Sequence, residues 1–159
     1  MSQTAPTELT PASAAERLAA IEDIKQLKAR YFRLMDTKDW AALREVFTDD
    51  AHMDIDGFAS DGGDAITAFL SKVLTPLRTV HHGHMPEITL TSTDQASGVW
   101  AMFDYVEFPS DGLPRGFHGY GHYHDQYRVE RGAWRIASSR VARLRIDPLA
   151  GGLPDGAPA

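Results

Sequence analysis

The chain has 159 residues, 43% of them apolar and 24% charged, which suits one soluble domain able to bury a core of its own. With 16 Lys/Arg against 22 Asp/Glu the net charge is −6, so neither nucleic acid nor a membrane surface is expected as a partner. There is no cysteine, which excludes disulfides, thiolate metal sites and cysteine nucleophiles.

The first 13 residues are rich in Ala, Thr, Ser and Pro and read as an N-terminal tail. They carry no basic region and no apolar block, so no secretory leader is expected. No stretch of about 18 apolar residues occurs, and the expected location is cytoplasmic. From Ala14 to Met35 the apolar residues Leu18, Ile21, Ile24, Leu27, Tyr31 and Leu34 recur at helical spacing. Glu22, Asp23, Lys25, Lys28 and Arg30 are assigned to the opposite face. A short helix is expected over Asp39–Phe47, capped by Thr37 or Asp39, with Asp36 in the joint. A strand over Ala51–Ile55 ends at the turn pair Asp56-Gly57. Asp64–Leu74 reads as a third helix, stopped by Pro76.

Four strand-like runs follow: His81–Thr91, Gly98–Phe108, Gly119–Arg131 and Ala133–Ile146. Residues 147–159 hold Pro and Gly in profusion and read as a C-terminal tail, loose or strapped onto a neighbouring surface. Helices first and antiparallel strands after is the α+β pattern. The expected domain spans 14–146, with a curved sheet wrapped over the first helix and a pocket between them.

Four features stand out as chemistry. Asp36 sits where an amphipathic helix ends, and is either a solvated turn residue or a carboxylate needing a hydrogen-bonding partner. In His81-His82-Gly83-His84, strand alternation turns His81 to one face and His82 with His84 to the other. A lone pocket-facing histidine is a base or a satisfied core residue. His122 and His124 make a second same-face pair, and the two pairs together could supply four imidazoles to a metal. No carboxylate spacing supports this, and no metal is expected. Tyr31 lies on the apolar stripe five residues before Asp36, and Arg143 is one of several arginines scattered over the last strand. No phosphate loop, nucleophile elbow or zinc-helix motif is present.

The run YFRLMDTKDWAALREVFTDDAHMDIDG, then LRTVHHGHMPEITL, then YRVERGAWRI resembles, in that order, the SnoaL-like branch of the nuclear transport factor 2-like superfamily. The resemblance covers about residues 15–146. Within that superfamily the chain is similar to scytalone dehydratases, hexachlorocyclohexane dehydrochlorinases and bile-acid 7α-dehydratases. It implies a cone-shaped, cystatin-like α+β barrel, a trimer, and a lyase without a cofactor. It also implies that Asp36 and His81 form a catalytic pair, with Tyr31 catalytic and Arg143 and Tyr123 at the substrate. Three positions depart from those relatives: Ile55 replaces a substrate-contacting tyrosine, Tyr105 or Val106 stands at a second histidine's place, and Ser139 stands at an arginine's place.

The implied reaction is β-elimination from a hydrophobic hydroxylated steroid-like or aromatic molecule. His81 would be the base, Asp36 its orienting carboxylate and Tyr31 the donor where negative charge collects. Phe32, Met35, Ile55, Phe69, Met85 and Phe103 would form the apolar wall. Carbon–carbon cleavage of an aromatic diol, an isomerase or cyclase, and a non-catalytic binding module are the alternatives. A binding module would leave the His81 ring more than about 5 Å from Asp36, beyond hydrogen-bonding reach.

Overall fold

A computed structural model describes residues 13–154. Of the tails assigned to 1–13 and 147–159, residues 1–12 and 155–159 lie outside the described residues. The first helix, α1, spans Ala14–Thr37. Ser13 and Glu16 close its first turn as a reciprocal capping box, each side chain accepting the other's backbone N–H. Lys38 ends it in the left-handed conformation, φ 60°. Ile24, Leu27, Tyr31, Leu34 and Met35 form its buried stripe, while Leu18 is 67% exposed because the helix begins before it reaches the sheet.

The second helix, α2, is only Trp40–Arg44, capped by Asp39, whose carboxylate accepts the Ala42 N–H. It is shorter than its apolar spacing suggests. The Val46 carbonyl accepts the Ile136 N–H at 2.8 Å, and this draws the chain into a sheet. Strand β1 accordingly starts early and runs Phe47–Ile55. A turn at Asp56-Gly57, both with positive φ, folds it onto β2, Phe58–Asp61, a strand the sequence pattern does not announce. Helix α3, Gly63–Leu74, follows. The four long strands are β3 (Arg78–Leu90), β4 (Gln95–Phe108), β5 (Arg115–Glu130) and β6 (Ala133–Pro148).

The sheet order is β2-β1-β6-β5-β4-β3. Every pairing is antiparallel except β1 with β6, which is parallel, Met53 lying opposite Ser139. The fold is thus α+β with a mixed sheet, and the sheet is open, with β2 and β3 as its edges. β6 continues past Ile146 to Pro148. The segment after it is strapped down: the Leu149 N–H donates to Gly116, and the Gly116 N–H to Gly152.

One sheet face packs on α1 and holds the core, which includes Leu27, Phe47, Met53, Trp100, Tyr127 and Ile136. Gly83 lets α1 and β3 approach: a Cβ there would lie 2.6 Å from the Phe32 ring. The other face of β3–β5 carries His82, His84, Phe103, His118 and Tyr120, rings in mutual contact. Among the described residues no helix is long and apolar enough to cross a membrane.

Candidate active site

Asp36, the penultimate residue of α1, is aimed at β3. Its Oδ1 lies 2.7 Å from His81 Nδ1 and accepts the Thr79 hydroxyl at 2.9 Å, and its Oδ2 accepts the His81 backbone N–H at 2.8 Å. Lys38 Nζ donates to the Thr79 oxygen at 2.7 Å, so the hydroxyl proton is left for Asp36. Burial pushes the Asp36 carboxyl up, but the bond and charge of His81, its N–H and Thr79 outweigh this and hold it below its usual value. An ionised carboxylate can only accept, so His81 Nδ1 carries a proton towards Asp36 and Nε2 is the nitrogen turned away from it. Lys38 and Thr79 were not marked by the sequence pattern, although Thr79 shares the inward parity of His81 two residues on.

His81 is 9% exposed and borders an apolar cavity of about 190 Å³. Tyr31 and Tyr123 line it too, with Arg143 at its polar end. The wall is Met35 and Ile55 with the α3 residues Phe69, Leu70, Val73 and Leu74, completed by sheet residues such as Val106 and Val141. Ile55, Met35 and Phe69 thus line this cavity. Tyr31 is 1% exposed. Burial first, then the charges of Asp125, Asp36 and Asp104, raise its hydroxyl far above the ordinary tyrosine value, so it remains an O–H donor. Tyr123 is raised in the same way, again chiefly by burial.

Three expected wall residues lie elsewhere. Phe32 is one helical step round from Tyr31 and packs over Gly83 and against Tyr123, beside a shallow groove formed with His82 and His84. Met85 is 92% exposed, at the irregularity that breaks the β3 register between His84 and Glu87. Phe103 alternates outward, because Met102 and Asp104 take the inward positions, and it stacks on His118.

Arg143 faces inward and is held between two carboxylates. Its Nη1 and Nη2 donate to Asp104 at 3.0 and 2.8 Å, and its Nε to Asp56 at 2.7 Å. Burial works against its charge, but the two carboxylates raise its pKa further above the ordinary arginine value. Gly119 makes room for this pair, since a Cβ there would fall 2.0 Å from the Asp104 carboxylate. Asp104 itself, 2% exposed, was readable from its parity with Trp100 and Met102.

Lys28 corrects the surface assignment made on charge. It is 0% exposed, 2.7 Å from Asp125, with Nζ 4.4 and 4.0 Å from the Tyr31 and Tyr123 ring centroids. Tyr127 donates to the same Asp125 oxygen at 2.7 Å, and Trp100 donates to Tyr127 at 2.8 Å. A buried network thus underlies both cavity tyrosines. His82 contacts His84, both exposed, and His122 contacts His124, both half-buried, and no group of three or more metal-ligating side chains forms among the described residues.

A helix-covered open mixed sheet with an inward Asp–His pair beside an apolar cavity defines a small-molecule pocket of the nuclear transport factor 2-like kind. The chain belongs to the SnoaL-like domain family, whose pattern matches residues 16–140. Its fold is similar to that of a type 2 hexachlorocyclohexane dehydrochlorinase, with a TM-score of 0.78 and 22% identity over 91% of this chain and 100% of that one. It is similar also to a scytalone dehydratase-like protein from Novosphingobium aromaticivorans, TM-score 0.77 and 18% identity, covering 92% of this chain and 100% of that one. A protein of unknown function from Mycobacterium tuberculosis matches with TM-score 0.72 and 25% identity over 84% and 77%.

Proposed function

We propose that the protein is a lyase that eliminates water or another small leaving group from a hydrophobic ring compound. The observation that carries this reading is the 2.7 Å contact between Asp36 and His81 Nδ1 at the edge of an apolar cavity. A module that only binds has no need of a carboxylate held by three donors against one imidazole.

In this reading His81 Nε2 takes a proton from carbon. The C–H electron pair becomes the new C=C bond, and the leaving group departs from the adjacent carbon with the electrons of the bond that held it, a hydroxyl taking the proton back from the imidazolium to leave as water. Asp36 stays ionised and stabilises the imidazolium. Tyr31, with Tyr123 beside it, donates to the oxygen on which charge accumulates. The α3 and sheet residues keep water away from the reacting carbon. Similarity in fold to a dehydrochlorinase and a dehydratase-like protein supports this class of reaction. The trimer that the family resemblance implies belongs to the same proposal, and the uncovered ring-bearing face of β3–β5 is the surface that supports it.

The test is turnover of a panel of hydroxylated and halogenated ring compounds, with products weighed by mass spectrometry. His81→Ala and Asp36→Asn are each expected to lower the rate at least about 100-fold with the fold intact by circular dichroism. Undiminished turnover in either variant sinks the reading. A released one-carbon fragment in place of water or halide makes the reaction carbon–carbon cleavage.

A further inference from the structure

The polar end of the cavity holds one cation against two carboxylates. Arg143 gives three of its five N–H groups to Asp104 and Asp56. Both acids face it from different elements, Asp104 from β4 and Asp56 from the turn after β1. Lys38 is committed through Thr79 to a third carboxylate, Asp36. Lys28 is matched by Asp125, and Tyr31 and Tyr123 stay neutral. The cavity therefore offers hydroxyl and residual N–H donors, but no cation free to match an incoming anion. A carboxylate entering it loses hydration and meets like charge.

We propose that this cavity selects uncharged single-ring ligands bearing a carbonyl or hydroxyl oxygen, and that Asp56 is the specificity-determining residue that closes Arg143 to carboxylates. The size follows from volume: a cavity of roughly 150 Å³ holds benzene, and about 190 Å³ leaves room for one small substituent. Asp104, 2% exposed, lines the cavity beside Arg143 and serves as its permanent counter-ion. The Asp56 side chain is 32% exposed and sits in the turn between β1 and β2, and its loss leaves Arg143 Nε without its acceptor. This selection rests on the cavity being the ligand site of the proposed lyase, and not on the elimination itself.

The experiment compares benzamide with benzoate, which share shape and differ in charge, by chemical-shift titration of the 15N-labelled protein at neutral pH. In the wild type benzamide is expected to shift cavity residues and to bind at least tenfold more tightly than benzoate. Asp56→Asn is the variant of choice, because asparagine tolerates the φ of +52° found there. It is expected to strengthen benzoate at least fivefold and to leave benzamide within twofold. Equal or tighter binding of benzoate by the wild type overturns the proposal. So does an unchanged ratio in a folded Asp56→Asn protein, or a failure of both probes to shift cavity residues. The same titrations on His81→Ala separate the two ideas: discrimination kept there while no elimination is found anywhere removes the reaction and leaves the selection standing.

Discussion

Asp36 accepts three hydrogen bonds in a partly buried position, and this gives its contribution to stability a definite pH sign. Its folded-state pKa lies below the unfolded value of about 3.9. A depressed carboxylate stabilises the fold above the unfolded value, and the stabilisation is lost as pH falls through the folded one. Urea unfolding of the wild type and Asp36→Asn should differ most above about pH 5 and converge in the acid range below about pH 4. A constant difference across that range would mean that the carboxylate charge adds nothing. Lys28 invites a different measurement. Removing one partner of a buried ion pair costs about 3–5 kcal/mol, whereas replacing both is often neutral. Lys28→Met is therefore expected to destabilise by that amount. Adding Asp125→Asn, which keeps an acceptor for Tyr127, should return stability to within about 2 kcal/mol of wild type. Calorimetric unfolding of the single and double variants checks both figures.

At the scale of elements, the approach of α1 to β3 sets the distance from Asp36 to His81, and Gly83 sets the approach. Gly83→Ala places a methyl 2.6 Å from Phe32 and 3.2 Å from Trp100, so helix or strand must give way. An overpacking cost of about 1–3 kcal/mol is expected in urea titration, and a cost near zero would show that the contact is slack. The same elements show what a one-dimensional pattern carries. Strand alternation turned His81 inward and His82 and His84 outward, because β3 is regular up to His84. It fails at Met85, where the register breaks; Phe103 obeys it, and its assignment to the wall rested on aromatic character against parity. Lys28 was lost because charge was taken as a mark of the surface. Yet it lies four residues after Ile24 and three before Tyr31, on the buried stripe itself, and Asp125 has the parity of Tyr123 and Tyr127. Phe47 fits a helical period as well as a strand, and only pairing with Ile136 on β6 decides between them.

For the whole molecule, the α+β arrangement was legible because the three helices precede the four long alternating segments, with only the short β1 and β2 set among the helices. The sheet order was not, since pairing between β1 and β6 is written in no local pattern. The ring-bearing face of β3–β5 raises a further question of scale. Sedimentation equilibrium is expected to report a trimer, and replacing Phe103 and Tyr120 with glutamate should yield monomers. A monomeric wild type would remove that part of the proposal. The parallel contact between β1 and β6 has a consequence for how the molecule comes into being. The pair β1 and β2 joins the other strands only through β6, so β6 must leave the ribosome before the six strands stand in one sheet. Until then the greasy inner sides of the early segments stay unshielded, and maturation is a late, collective event with slow, long-range closure.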